Sequence, residues 1–107
     1  MILATVRIPA EQDNNVLFTE SFLFNSEKDF IEATFSPSIE IVTVIRFQLH
    51  GNTYSERKES LRDLAIECSN SEIADLSYSE ECDIYWYFLE NGKRYGLLKE
   101  FMENAII

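Results

Sequence analysis

In CDIYWYFLENGKRYGLL, residues 82–98, the five consecutive residues Tyr85 to Leu89 are all aromatic or aliphatic. A short apolar run rich in aromatic residues and bounded by turn signals reads as a strand buried on both faces. Asn91-Gly92 is the strongest short hairpin signal, since both central positions of a type I′ turn take positive φ. The stretch therefore predicts a hairpin, pairing Glu90 with Lys93, Leu89 with Arg94, Phe88 with Tyr95, Tyr87 with Gly96 and Trp86 with Leu97. Ile84, Trp86, Phe88, Tyr95 and Leu97 then share an apolar face assigned to the core. The opposite face carries Asp83, Tyr85, Tyr87, Leu89, Arg94, Gly96 and Leu98, with Tyr87 lying over the bare Gly96. Two tyrosines beside an arginine suit either a thin layer under a helix or a partner-binding surface.

Ile2, Ala4, Val6 and Ile8 alternate along residues 2–8, a strand ended by Pro9 and a polar loop. A second strand over 16–24 places Val16, Phe18, Phe22 and Phe24 on one face, with Thr19 and Ser21 on the other, and forms a meander with the first. Ser26, three residues before Asp29, opens a short helix that runs until Pro37. Ile39, Ile41, Ile45, Phe47 and Leu49 alternate with polar positions as the clearest strand, over 39–49. Thr53 and Glu56 have capping-box spacing, and Leu61, Leu64, Ala65 and Cys68 form one buried stripe of a helix over about 54–68. Residues 73–78 alternate Ala74, Leu76 and Tyr78 as a further strand entering the aromatic hairpin. Leu98, Phe101, Met102 and Ala105 are spaced as a closing helix. The expected fold is α+β, a single domain over 1–107, with a mainly antiparallel sheet of about five or six strands and two or three helices.

A chain of 107 residues with 46% hydrophobic content holds enough apolar side chain for a core without metal or disulfide staples. Its net charge of -10 sets up a field that repels nucleic acid and anionic lipid and attracts basic proteins. The N-terminal segment reads as no secretory leader, no apolar run approaches the length of a membrane span, and two cysteines without C-x-x-C spacing read as free thiols in a reducing cytoplasm. The acids are unevenly placed. Residues 63–90 hold eight acids and no base, whereas 41–62 hold four bases and two acids. The run Asp63, Glu67, Glu72, Asp75, Glu80, Glu81, Asp83 and Glu90 leads directly into the aromatic segment.

Catalytic and cofactor chemistry has no signature here. His50 is the sole histidine and lies in a turn, the three glycines at 51, 92 and 96 are isolated, and Glu80, Glu81 and Asp83 lack the pattern of a calcium loop. No cofactor, metal or catalytic residue is assigned. The expectation is a non-enzymatic inhibitor of the immunity or anti-defence type, bacterial or phage in style, occluding a basic toxin or nuclease. Its partner-binding residues would be Glu72, Asp75, Glu80, Glu81, Asp83, Tyr85, Tyr87 and Arg94. The runner-up is a homo-oligomeric subunit that buries the aromatic face against its own copy. A small enzyme ranks third. Direct contact with nucleic acid or membrane is not expected.

Overall fold

Alternating apolar residues at the start of the chain build a strand, β1 (Ile2–Pro9), that lies between two antiparallel neighbours. These are β2 (Leu17–Phe24) and β3 (Glu40–Arg46), giving the order β2-β1-β3. The computed structural model describes residues 1–9, 17–33, 39–71, 73 and 76–107. The chain divides into two compact units, Met1–Phe47 with Ser71–Leu76, and Gln48–Asn70 with Ser77–Ile107.

In the first unit, β1 occupies the centre of the sheet, and Ile2, Leu3, Ala4, Thr5 and Val6 are all buried. Thr5 faces Ser21 across the ladder, and their hydroxyls hydrogen-bond at 2.9 Å, satisfying two buried polar groups at once. Phe18, Phe22 and Phe24 share the row of β1's even-numbered residues, as the spacing predicts, while Val16 lies outside the described residues. The third strand departs from simple alternation. Its register shifts between Thr5 and Val6, so Thr5 faces Thr43 but Val6 faces Ile41. One extra residue is thereby absorbed, and Ile41 leaves the row of the buried Ile45; Ile41 and Val42 are exposed.

Helix α1 (Glu27–Glu32) starts where Ser26 Oγ accepts from the Asp29 amide at 3.2 Å. It ends before Pro37, which is itself outside the described residues. Phe30 meets Phe24 edge-on at 5.5 Å. The Arg46 guanidinium lies 5.9 Å from the Phe30 ring and grips the Glu27 carboxylate at 2.9 and 3.1 Å. That hydrogen bond holds the Glu27 carboxyl below its ordinary range.

The second unit is helical: α2 (Tyr54–Asn70), α3 (Tyr78–Tyr95) and α4 (Leu98–Glu103). Thr53 Oγ1 accepts from the Glu56 amide at 3.1 Å, while the Glu56 carboxylate accepts from the Asn52 amide at 2.9 Å, one residue upstream of a regular capping box. Leu61, Leu64 and Ala65 form the buried stripe of α2, with Cys68 half-buried at its end.

The aromatic hairpin is overturned, because residues 78–95 are one helix. Local signals for this outweigh the Asn-Gly dipeptide. Ser77 and Glu80 make a reciprocal capping box, with Ser77 Oγ accepting from the Glu80 amide and Glu80 Oε1 accepting from the Ser77 amide, both at 3.2 Å. Acids Glu80 and Glu81 occupy the first turn, bases Lys93 and Arg94 the last, and Gly96 closes the helix in the left-handed region at φ 68°. Asn91 spends its side-chain amide on the Tyr87 carbonyl at 2.8 Å. Gly92 is buried within the helix, where an added Cβ would lie 3.1 Å from Phe101 Cδ2. Its bareness lets α4 approach, and Phe101 meets Phe88 edge-on at 5.8 Å. The core row is Phe88, Gly92 and Tyr95, at helical and not alternating spacing. Trp86, expected in the core, is 54% exposed.

The expected strand over 73–78 is corrected at its end, since Ser77 caps α3 and Tyr78 is its first residue; Ala74 and Asp75 lie outside the described residues. The class stays α+β, but the described sheet has three strands, not five or six, and the described residues form four helices. Phe101 of the closing helix is buried, whereas Met102 is exposed and Ala105 leaves the helix at φ 56°.

Candidate interaction surface on the third helix

A helix in which five successive residues are apolar or aromatic has too many for one buried stripe, so some must face outward. In α3 the buried row takes Phe88 and Tyr95. The outward share falls on Tyr78, Cys82, Tyr85 and Trp86. Tyr78, Cys82 and Trp86 follow one another at i, i+4 and i+8, and therefore lie along one strip of the helix. Tyr78 is 83% exposed and Tyr85 45% exposed, and the Tyr85 and Trp86 rings meet edge-on at 6.0 Å. Together with Glu81 these residues line a shallow depression of about 480 Å³. The Cys82 thiol, through a hydrogen bond and its charge, pushes the Tyr78 phenol above its ordinary value.

The partner-binding residues expected from sequence are divided by the helix. Glu81 and Tyr85 join the aromatic depression. Glu80 is committed to capping the helix. Tyr87, two residues and about 200° around the helix from Tyr85, is half-buried and does not share its face. Burial raises its phenol first, against a smaller lowering by the nearby Arg57 charge. Asp83 and Arg94 are exposed on the strip that includes Tyr87. Glu72 and Asp75 lie outside the described residues. The strand reading missed Tyr78 and Trp86, although their spacing with Cys82, downstream of the Ser77–Glu80 box, was available in the sequence.

Other chemistry is sparse. Both cysteines are free thiols, and burial pushes Cys68 up to about 12, with the Glu67 charge adding to the shift. Among the described residues no group of three His, Cys, Asp or Glu side chains is placed to hold a metal ion, and no described helix is long and apolar enough to cross a membrane. A second depression, of about 470 Å³, lies between α2 and α4, with Ala65, Ile66, Phe101 and Ile106 among its lining. Its rim holds Arg62, whose guanidinium is already engaged by Glu100 at 2.9 and 3.2 Å and by Glu59.

No protein-family model, no curated protein and no solved structure matches this chain.

Proposed function

We propose that this chain is a non-catalytic inhibitor of the immunity or anti-defence type, which occludes a basic toxin or nuclease by docking the outward strip of α3. The observation that supports this reading is the exposure of Tyr78, Tyr85 and Trp86 side by side, next to the Glu81 carboxylate. Tryptophan and tyrosine dominate the energetic centres of protein interfaces, because each buries a large rigid surface at small entropic cost. An acidic rim steers a basic partner and rejects acidic ones, and the free thiols suit a reducing cytoplasm. In this mechanism Trp86 and Tyr85 fill an apolar recess of the partner. Glu81 takes up a position that a substrate phosphate would otherwise occupy.

Cross-linked capture from the native host, with the intact chain and a Tyr78→Ser/Trp86→Ser variant side by side, tests the proposal. The expected result is one basic protein retained by the intact chain, released as salt rises and absent from the variant's eluate. Light scattering addresses the second reading, which the same exposed rings favour: a homo-oligomer that buries them against another copy. A stable dimer at low micromolar concentration that dissociates in the variant overturns the inhibitor reading and establishes self-association.

A further inference from the structure

Two rows of α3 side chains meet at the aromatic depression. Tyr78, Cys82 and Trp86 form one row, and Glu81 and Tyr85, also four residues apart, form the row beside it. The Tyr85 and Trp86 rings stand at 84° to each other, so they bound the hollow with walls at nearly a right angle. Its volume of about 480 Å³ lies within the range of about 300 to 1,000 Å³ in which proteins seat small molecules. Among the described lining residues only Glu81 is charged, and its exposed carboxylate forms no ion pair among the described residues. Its neighbour Glu80, by contrast, is held in the helix cap. The surrounding segment reinforces the negative field, since residues 63–90 hold eight acids and no base.

We propose that this depression is a socket for an arginine side chain of the basic partner, an inference that rests on the reading of α3 as the docking face. Aromatic rings carry negative charge on their faces and draw in a cation, tryptophan most strongly. A guanidinium is flat and weakly hydrated, so it stacks on a ring at small desolvation cost while its N–H fork points within its own plane toward a carboxylate. Perpendicular aromatic walls with one acid beside them match that shape: the plane lies on a ring and the fork meets Glu81. An apolar side chain in the same place would cover the Glu81 carboxylate without giving it a partner. A lysine ammonium would satisfy the acid, but it sheds tightly held water and has no flat face to stack. The positive end of the helix dipole opposes a cation near Tyr78, yet that effect fades within the first turn, where Glu80 and Glu81 counter it. Each ring has two faces, so Tyr85 and Trp86 can meet the partner's apolar recess on one and the guanidinium on the other.

Trp86 is the chain's only tryptophan, so its emission reports on the depression directly. The full chain should be titrated with the Nα-acetyl amides of arginine, lysine and citrulline, and with tetramethylammonium, at matched ionic strength. A saturable emission change is expected with the arginine amide, at a midpoint at least about threefold lower than with the lysine amide and about tenfold lower than with the uncharged citrulline amide. Glu81→Gln and Tyr85→Leu should each raise the arginine midpoint at least about threefold, while Glu103→Gln, which removes the same charge from α4, should leave it unchanged. Far-UV ellipticity checks that each variant keeps its helices. Citrulline or lysine amide binding as tightly as arginine, tetramethylammonium binding more tightly, a change that never saturates, or a midpoint indifferent to both Glu81→Gln and Tyr85→Leu overturns the socket. A basic protein captured through α3 without any binding of the arginine amide removes the socket and keeps the docking reading. Binding of the arginine amide with no basic protein captured keeps the socket and removes the inhibitor reading.

Discussion

Trp86 and Phe88 are two residues apart, and helical geometry sends them to opposite environments: Phe88 is 2% exposed and Trp86 54%. Phe88 packs edge-on against Phe101, so truncation leaves a cavity that the neighbouring rings cannot fill. Phe88→Ala should cost about 3 to 5 kcal/mol, and Trp86→Ala under about 1.5 kcal/mol, since its ring is already in water on one side. Urea melts of the two variants measure this, and equal losses would mean that Trp86 is buried and unavailable to a partner. The same contrast explains why an individual tryptophan is a poor guide to burial. Its size favours the core in an alternating strand, but a helix that has already filled its buried row has no place for it.

At the scale of elements, α3 is held by terminal chemistry and not by the dipeptide at its centre. Ser77→Ala removes one arm of a reciprocal cap and should cost about 1 kcal/mol, with loss of helical ellipticity. Asn91→Ala should change stability by less than about 0.5 kcal/mol, because the lost bond to the Tyr87 carbonyl is offset by alanine's higher helix propensity. A large loss at Asn91 with none at Ser77 would restore a turn at 91–92. Elements whose period was unambiguous were legible in the sequence: β1 from its alternation, α1 from Ser26, and α2 from Thr53 and the Leu61–Leu64–Ala65 stripe. Residues 85–89 were not, because a run in which every position is apolar fits both periods. There the caps carry the information. Ser77, Glu80 and Gly96 mark a helix of the observed length, and the glycine at 92 serves close packing of Phe101, not a turn. The candidate site was legible only in composition. Composition associates acid with aromatic residues, but pairing Tyr85 with Tyr87 requires a strand, and the helix places Tyr85 with Trp86 and Tyr78.

For the whole molecule the question is whether excess negative charge acts through its total or its location. Glu81→Lys and Glu103→Lys each replace one negative charge with one positive, taking the net charge from -10 to -8. Bulk electrostatics are therefore matched. Glu81 borders the aromatic depression of α3, whereas Glu103 lies at the end of α4, 3.9 Å from the exposed Lys99. If location governs recognition, Glu81→Lys sets like charge against the basic partner and should weaken its binding by several kcal/mol, while Glu103→Lys changes it by less than about 0.5 kcal/mol. Calorimetry with the captured partner measures both. Stopped-flow association across a salt series adds the rate: the intact chain should lose on-rate as salt rises, and Glu81→Lys should flatten that dependence more than Glu103→Lys does. Equal small effects would assign the carboxylates to solubility alone, leaving Tyr78, Tyr85 and Trp86 to account for recognition without steering.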